Sequence, residues 1–213
     1  VVPSLTTLLL FVLAGSVLVA IPGPNHIYIV TRGLSQGRAA GLASAIGVET
    51  GTLVYIAAAA AGLAALIASS ALAYDAVRYL GAAYLVYLGV RTLLRYQPLT
   101  LDTAGAPQSL RRVFLEGMLV NLLNPKVALF FVAFLPQFLD PGRGPVAAQI
   151  IVLGLVMSII GLSSDVLYAL ASGTLGGWIG RRPAFLRRQR YLTGGTYLAL
   201  GVVAALTGRP SRP

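Results

Sequence analysis

Ile21-Pro22-Gly23-Pro24-Asn25 lies two-thirds of the way along an otherwise apolar run from Leu5 to Val30. At about 1.5 Å per residue that run is more than enough to cross a bilayer core of about 30 Å. It nevertheless carries two prolines, a glycine and an amide in its interior. Pro22 and Pro24 lack backbone N–H groups and crowd the preceding carbonyls, and in hydrocarbon each freed polar group needs a partner or costs several kcal/mol. Such backbone persists only where protein covers it or water reaches it, so the stretch reads as a helix broken inside a membrane. A second break, Asn124-Pro125, interrupts another apolar run at the corresponding place in the second half of the chain. Paired interruptions of this kind point to a transport site.

The surrounding composition agrees. Of 213 residues, 57% are hydrophobic and only 10% are charged, where an ordinary soluble domain carries about a quarter charged residues. The apolar residues come in long blocks, so the fold class is an all-α integral membrane protein. The net charge of +10 does not indicate a nucleic-acid partner, because the arginines sit in short loops between apolar blocks rather than on one basic face. Without cysteine there is neither a disulfide framework nor a thiolate metal site. No metal or cofactor is expected, since no Gly-rich phosphate loop or paired-histidine motif is present. The first twenty residues do not read as a signal peptide, because no basic residue precedes the apolar run and the proline break follows it.

Six apolar segments are expected, at Leu5 to Val30, Gly41 to Ala68, Val77 to Leu94, Val113 to Leu135, Val146 to Ala171, and Tyr191 to Leu206. A linker with Pro98, Gly105 and Pro107 separates the third from the fourth. The organisation is therefore a three-helix repeat over 1–95, a cytoplasmic linker over 96–112, and a second three-helix repeat over 113–213. An odd number of spans per half forces an inverted 3+3 repeat, with helices 1 and 4 broken. Arg32, Arg38, Arg91, Arg95, Arg111, Arg112, Arg181, Arg182, Arg187, Arg188 and Arg190 share one side. Arg78, Arg143, Arg209 and Arg212 share the other. The excess of positive charge marks the cytoplasmic side and places both termini outside. The Arg181 to Arg190 cluster is read as that topological anchor, with anionic lipid head groups as its alternative partner. Gly47 and Gly51 form a GxxxG pair, and Gly154 and Gly161 thin the fifth segment; both are read as helix packing. The small size and these glycines are compatible with a homodimer.

Charges inside apolar segments carry the chemistry, because each costs roughly 2.5–3.5 kcal/mol at a helix centre. Three qualify: Glu49, Lys126 and Asp165. Glu116 lies near a segment end, where it can reach the interface. Ser158, Gly161, Asp165, Tyr168 and Ser172 share one helix face by their spacing, as do Gly117, Asn121, Asn124, Ala128 and Phe131. These stripes from opposite halves are expected to meet at a midplane cavity. There the N–H groups following Pro24 and Pro125 would face a substrate carboxylate, with Lys126 adding positive charge. Asp165 or Glu49 would bind an ammonium or carry a coupling proton. The alternative is that Lys126 pairs with one of the acids as scaffolding. His26 is read as a hydrogen-bonding packing residue, with titration near neutrality as the alternative.

An enzyme is the remote alternative. Gly33-Leu34-Ser35-Gln36-Gly37 matches G-x-S-x-G but lacks the strand-to-helix turn that motif needs. Ser163 could serve an intramembrane hydrolase only with His26, the single histidine, as its base.

Pro22-Gly23-Pro24-Asn25, Arg32-Gly33-Leu34 with Gly37-Arg38 and Ala40-Gly41, Leu80-Gly81-Ala82-Ala83-Tyr84-Leu85 with Leu88-Gly89, and Asn121-Leu122-Leu123-Asn124-Pro125-Lys126 with Phe130-Phe131 and Leu135-Pro136-Gln137-Phe138 together resemble the LysE/RhtB family of amino-acid exporters. The likeness covers nearly the whole chain. It implies a six-helix bacterial inner-membrane protein that exports amino acids such as lysine, arginine, threonine or homoserine, driven by the proton gradient. It also implies that Pro22, Gly23, Pro24 and Asn25, and Asn124, Pro125 and Lys126, border the substrate path. With Asn121 from the polar stripe, these are the candidate substrate-binding residues; Glu49 and Asp165 are the candidates for proton or ion coupling. At the place of Glu49 the resemblance leads to a small or apolar residue, so no role carries over to it. The segment around Asp165 resembles part of the family only. A transporter of another small solute or a cation on the same fold is the nearer alternative.

Overall fold

The computed structural model describes residues 3–63, 65, 71–94, 107–172, 174, 191, 194–195, 198–199 and 201–202. All regular structure among them is helical. Helix α1 spans Leu5–Ala20, α2 Pro24–Gln36, α3 Arg38–Ala58, α4 Ala71–Leu94, α5 Leu110–Leu122, α6 Pro125–Leu129 and α7 Val146–Leu170. A π-helical turn, Ala59–Leu63, prolongs α3, and a π turn over Phe130–Phe134 with a 3₁₀ turn over Leu135–Phe138 prolongs α6.

Two helices, Arg38–Gly62 and Val146–Leu170, are long and apolar enough to cross a membrane alone. Two more spans arise if each broken pair counts as one: α1 with α2, bent by 52°, and α5 with the α6 extension to Phe138, bent by 48°. Four of the six expected segments thus correspond to candidate spans. The third falls in α4, whose apolar stretch Ala82–Leu94 is shorter. Most of the sixth, and most of the linker expected over 96–112, lie outside the described residues.

The breaks fall where the prolines dictate. Helix α1 ends at Ala20 because Pro22 and Pro24 cannot continue its ladder, and α2 restarts with Pro24 at its first position, where a missing N–H costs nothing. Helix α6 restarts at Pro125 in the same way, with the Asn124 side chain accepting from the Lys126 N–H at 3.0 Å. Two of the carbonyls freed by the breaks are also satisfied. Leu122 O accepts from the Tyr55 hydroxyl at 2.8 Å, and Ile21 O accepts from Lys126 Nζ at 2.8 Å.

Helix α3 packs on α2, α5 and α7. Small residues allow the close approach to α5. A Cβ on Gly117 would lie 2.7 Å from Ser44 O, and one on Gly47 would overlap the Phe114 carbonyl. These glycines serve helix packing, as the GxxxG spacing indicates. An aromatic cluster of Phe11, Phe130 and Phe134 closes α1 against the turns after α6. Leu9, Leu13 and Val17 on α1, and Ile159 and Leu167 on α7, are exposed, as suits a lipid-facing surface with no water to exclude.

Candidate functional site

A cleft with a volume of about 590 Å³, counted out to its mouth, opens where the two broken helices meet α3 and α7. Its wall joins apolar groups, among them Leu18, Val48, Phe130, Phe131 and Met157, to polar ones: Asn25, His26, Glu49, Thr52, Asn124, Lys126 and Asp165.

Three asparagines hold the breaks together. Asn124 Nδ2 donates to Asn25 Oδ1 at 2.8 Å, and Asn25 Nδ2 donates to Asn121 Oδ1 at 3.2 Å. Asn121 Nδ2 in turn donates to Thr52 Oγ1 at 2.8 Å and to Val48 O. Side chains from α2, α3 and α5 are thereby fixed around one amide with no solvent exposure. A fully engaged buried network of this kind holds one geometry, because releasing any member strands a polar group.

The charged residues divide between two walls. Lys126 reaches across the cleft floor to the carbonyl end of α1, where a cation is favoured by the helix dipole. Glu49, on α3, accepts from the Ser158 hydroxyl of α7 at 2.6 Å. Gly161 leaves room for this carboxylate, since a Cβ there would stand 3.1 Å from Glu49 Oε2. Asp165, one turn further along α7, has Oδ1 3.4 Å from His26 Nε2. Glu49, Asp165 and His26 are all less than a tenth exposed. Lys126 ends on a backbone carbonyl, so the scaffolding ion pair weighed from the sequence is not among the described contacts.

Of the residues singled out from the sequence, Gly23, Asn25, Asn124, Lys126, Glu49 and Asp165 line the cleft. Pro22, Pro24 and Pro125 shape the breaks, and Asn121 braces the wall from behind. On α7, Ser158, Asp165 and Ser172 are buried, so the stripe faces inward as its spacing requires. Two polar residues of the cleft, Thr52 and His26, are not among the site residues expected from the sequence. Thr52 falls one turn beyond Val48, a position with no charge to mark it, whereas His26 lies in the first turn after the break. Glu116 does not simply extend to an interface: it pairs with Arg32 at 2.7 Å, and the Tyr28 hydroxyl donates to it at 3.2 Å, joining α2 to α5. Ser163 donates to Ile159 O of its own helix on an exposed face, and Ser164 is the serine near His26, at 3.4 Å. Both Ser164 and Asp165 meet the same ring nitrogen, so no relay through the imidazole is assembled. No cluster of three or more metal-ligating side chains occurs among the described residues.

A helical chain with membrane-length apolar segments, whose two broken helices converge on a cleft lined by one amine and two carboxylates, has the construction of a membrane translocator for small polar solutes. The family model described as LysE type translocator matches residues 16–208, and the chain belongs to that family. An uncharacterized membrane protein of Vibrio cholerae is 34% identical, across 92% of this chain and 95% of its own length. The homoserine/homoserine lactone efflux protein of Salmonella typhimurium is 29% identical, across 92% of this chain and 94% of its own. The leucine efflux protein of Salmonella choleraesuis is 32% identical, across 67% of this chain and 68% of its own. No solved structure matches the chain.

Proposed function

We propose that this protein is a secondary transporter that exports a small amino acid or related zwitterion from the bacterial cytoplasm through the cleft between its broken helices. The observation that carries the reading is the wall itself: one half-buried amine and two buried carboxylates face a single space that also has an apolar side. An amino-acid zwitterion presents a carboxylate and an ammonium on one carbon atom, and this wall offers a partner to each. The carboxylate is received by Lys126 and by the first turn of α2, whose N-cap Gly23 has no side chain to occupy the Asn25 and His26 N–H groups. The ammonium is received by Glu49 or Asp165, whichever is not carrying the coupling proton. Leu18, Phe130, Phe131 and Met157 receive an uncharged side chain. The efflux proteins of homoserine and leucine among the relatives support this class of solute.

The full architecture belongs to the same reading. Six spans in two inverted three-helix halves, over 1–95 and 113–213, rock about the cleft, with both termini outside and the arginine-rich loops on the cytoplasmic face of the inner membrane. The similar bends of 52° and 48° in the first and fourth segments support the repeat. Protons drive export through Glu49 and Asp165, lipid head groups anchor the basic loops, and two copies associate through small-residue faces.

Counterflow in proteoliposomes tests the function. Vesicles preloaded with leucine, homoserine, threonine or lysine are assayed for uptake of the same labelled amino acid. At least one should exchange, and Lys126→Ala and Asp165→Asn should each abolish that exchange in folded protein. Absence of exchange for a wide amino-acid panel in folded protein would contradict the reading and leave cations and other small metabolites as the solutes to try.

A further inference from the structure

His26 occupies the third position of α2, in the first turn after the break. Its Nδ1 accepts a hydrogen bond from the Gly23 backbone N–H at 3.3 Å. An imidazole nitrogen that accepts carries no proton, so the neutral ring bears its hydrogen on Nε2. That nitrogen faces Asp165 Oδ1 and Ser164 Oγ, each at 3.4 Å, while the ring lies against Tyr168 with centroids 4.3 Å apart. The remaining charged groups on the same cleft are Glu49 from α3 and Lys126 from α6. Gly23, the N-cap of α2, is the last of the three residues between the two arms of the broken helix, in extended conformation at φ −138° and ψ −170°.

A bond that only a deprotonated Nδ1 can accept therefore ties the Gly23 N–H, within the connection that carries the 52° bend, to the first turn of α2. We propose that His26 is a further proton-carrying side chain of the transport cycle, beside Glu49 and Asp165, and that its protonation acts on the connection at Gly23. When water reaching the cleft delivers a proton to Nδ1, the ring becomes a cation with two donors. Nε2–H keeps Asp165 as its counter-charge, and the Gly23 N–H loses its acceptor. The Gly23 peptide is then no longer held to the first turn of α2. Linkage makes this reciprocal: a conformation that keeps the Gly23 bond excludes the proton, and a conformation that releases it takes the proton up. The cycle returns the proton to water when the bond re-forms, so no other reactant is consumed.

The inference rests on the transporter reading for its meaning, and its test needs no solute. The chain has one histidine and no cysteine, so isotope-labelled histidine reports on this ring alone and two introduced cysteines can be spin-labelled without background. The full chain in lipid nanodiscs, with Leu13→Cys on α1 and Ser35→Cys on α2, is titrated from about pH 8 to about pH 5. Expected is conversion of Nδ1 from unprotonated to protonated together with a shift of more than about 2 Å in the label distance, the scale of a rearrangement rather than of side-chain motion. In His26→Gln the distance should no longer respond to pH. A ring that stays neutral throughout, a ring that titrates without any change in distance, or a distance response that survives in His26→Gln would each overturn the proposal. If the Gln variant does not fold, the two readouts in the otherwise unaltered chain decide. Failure of amino-acid exchange would remove the solute reading and leave this result standing.

Discussion

Lys126 Nζ lies 2.8 Å from Ile21 O, an amine from the second broken helix capping the carbonyl end of the first across 105 positions of sequence. The two breaks are therefore one structure. A carbonyl freed in a membrane interior must be satisfied by something, and here a residue beyond Pro125 satisfies the one left by Pro22 and Pro24.

Lys126→Met removes this donor and keeps the length of the side chain. It should destabilise the protein by about 1–3 kcal/mol, the cost of stranding a buried acceptor, seen as a lower unfolding midpoint in detergent. Stability equal to the parent's would mean that Ile21 O is satisfied without Lys126.

The asparagine network predicts a coupling that single substitutions cannot show. Asn25→Ala and Asn124→Ala remove opposite ends of the 2.8 Å bond. A double-mutant cycle on unfolding should give an interaction energy of about 0.5–2 kcal/mol. Strict additivity would mean that the bond contributes nothing to holding the breaks together.

Glycine replacements separate packing from composition. Gly117→Ala drives a methyl to 2.7 Å from the Ser44 carbonyl, which is backbone and cannot rotate away. A loss of about 1–3 kcal/mol is expected in thermal unfolding. Gly62→Ala meets nothing within 4 Å and should be neutral, or stabilising by up to about 1 kcal/mol from helix propensity. Equal effects at the two positions would contradict the close approach of α3 and α5.

The Arg32 to Glu116 pair ties α2 to α5 with partial exposure on both sides. Glu116→Gln should cost no more than about 1 kcal/mol, and the cost should shrink as salt is raised. A larger, salt-independent loss would show that the hydroxyl bond from Tyr28 matters more than the charge.

Much of this arrangement is legible in the residues. Prolines at 22, 24 and 125 cannot continue a helix, so both breaks and their neighbours could be located from chemistry that is strictly local. The inward face of α7 followed from the spacing of Ser158, Asp165 and Ser172, because helical periodicity is local too. Partner choice was not legible. Lys126 could have paired with Glu49, Asp165 or a backbone carbonyl, and only the bend angles decide which lies within reach. His26 is hydrogen-bonded, as its place beside the break suggests, with Nδ1 accepting from the Gly23 N–H three positions earlier, but nothing in the spacing brings Asp165 of α7 to its other nitrogen. Arg32 and Glu116 likewise sit in different halves, and their pairing depends on the crossing of α2 and α5.

Chemical protection tests most directly whether the cleft is the solute path. The cysteine-free chain permits a single Val127→Cys on the cleft wall and, as reference, a single Ile159→Cys on the 67% exposed outer face of α7. Both are treated with a small thiol reagent, with and without the amino acid that exchanges in counterflow. The account predicts that the amino acid slows modification at position 127 several-fold and leaves position 159 unchanged. Modification at position 127 that proceeds at the same rate with saturating, exchanging amino acid would place the solute path elsewhere.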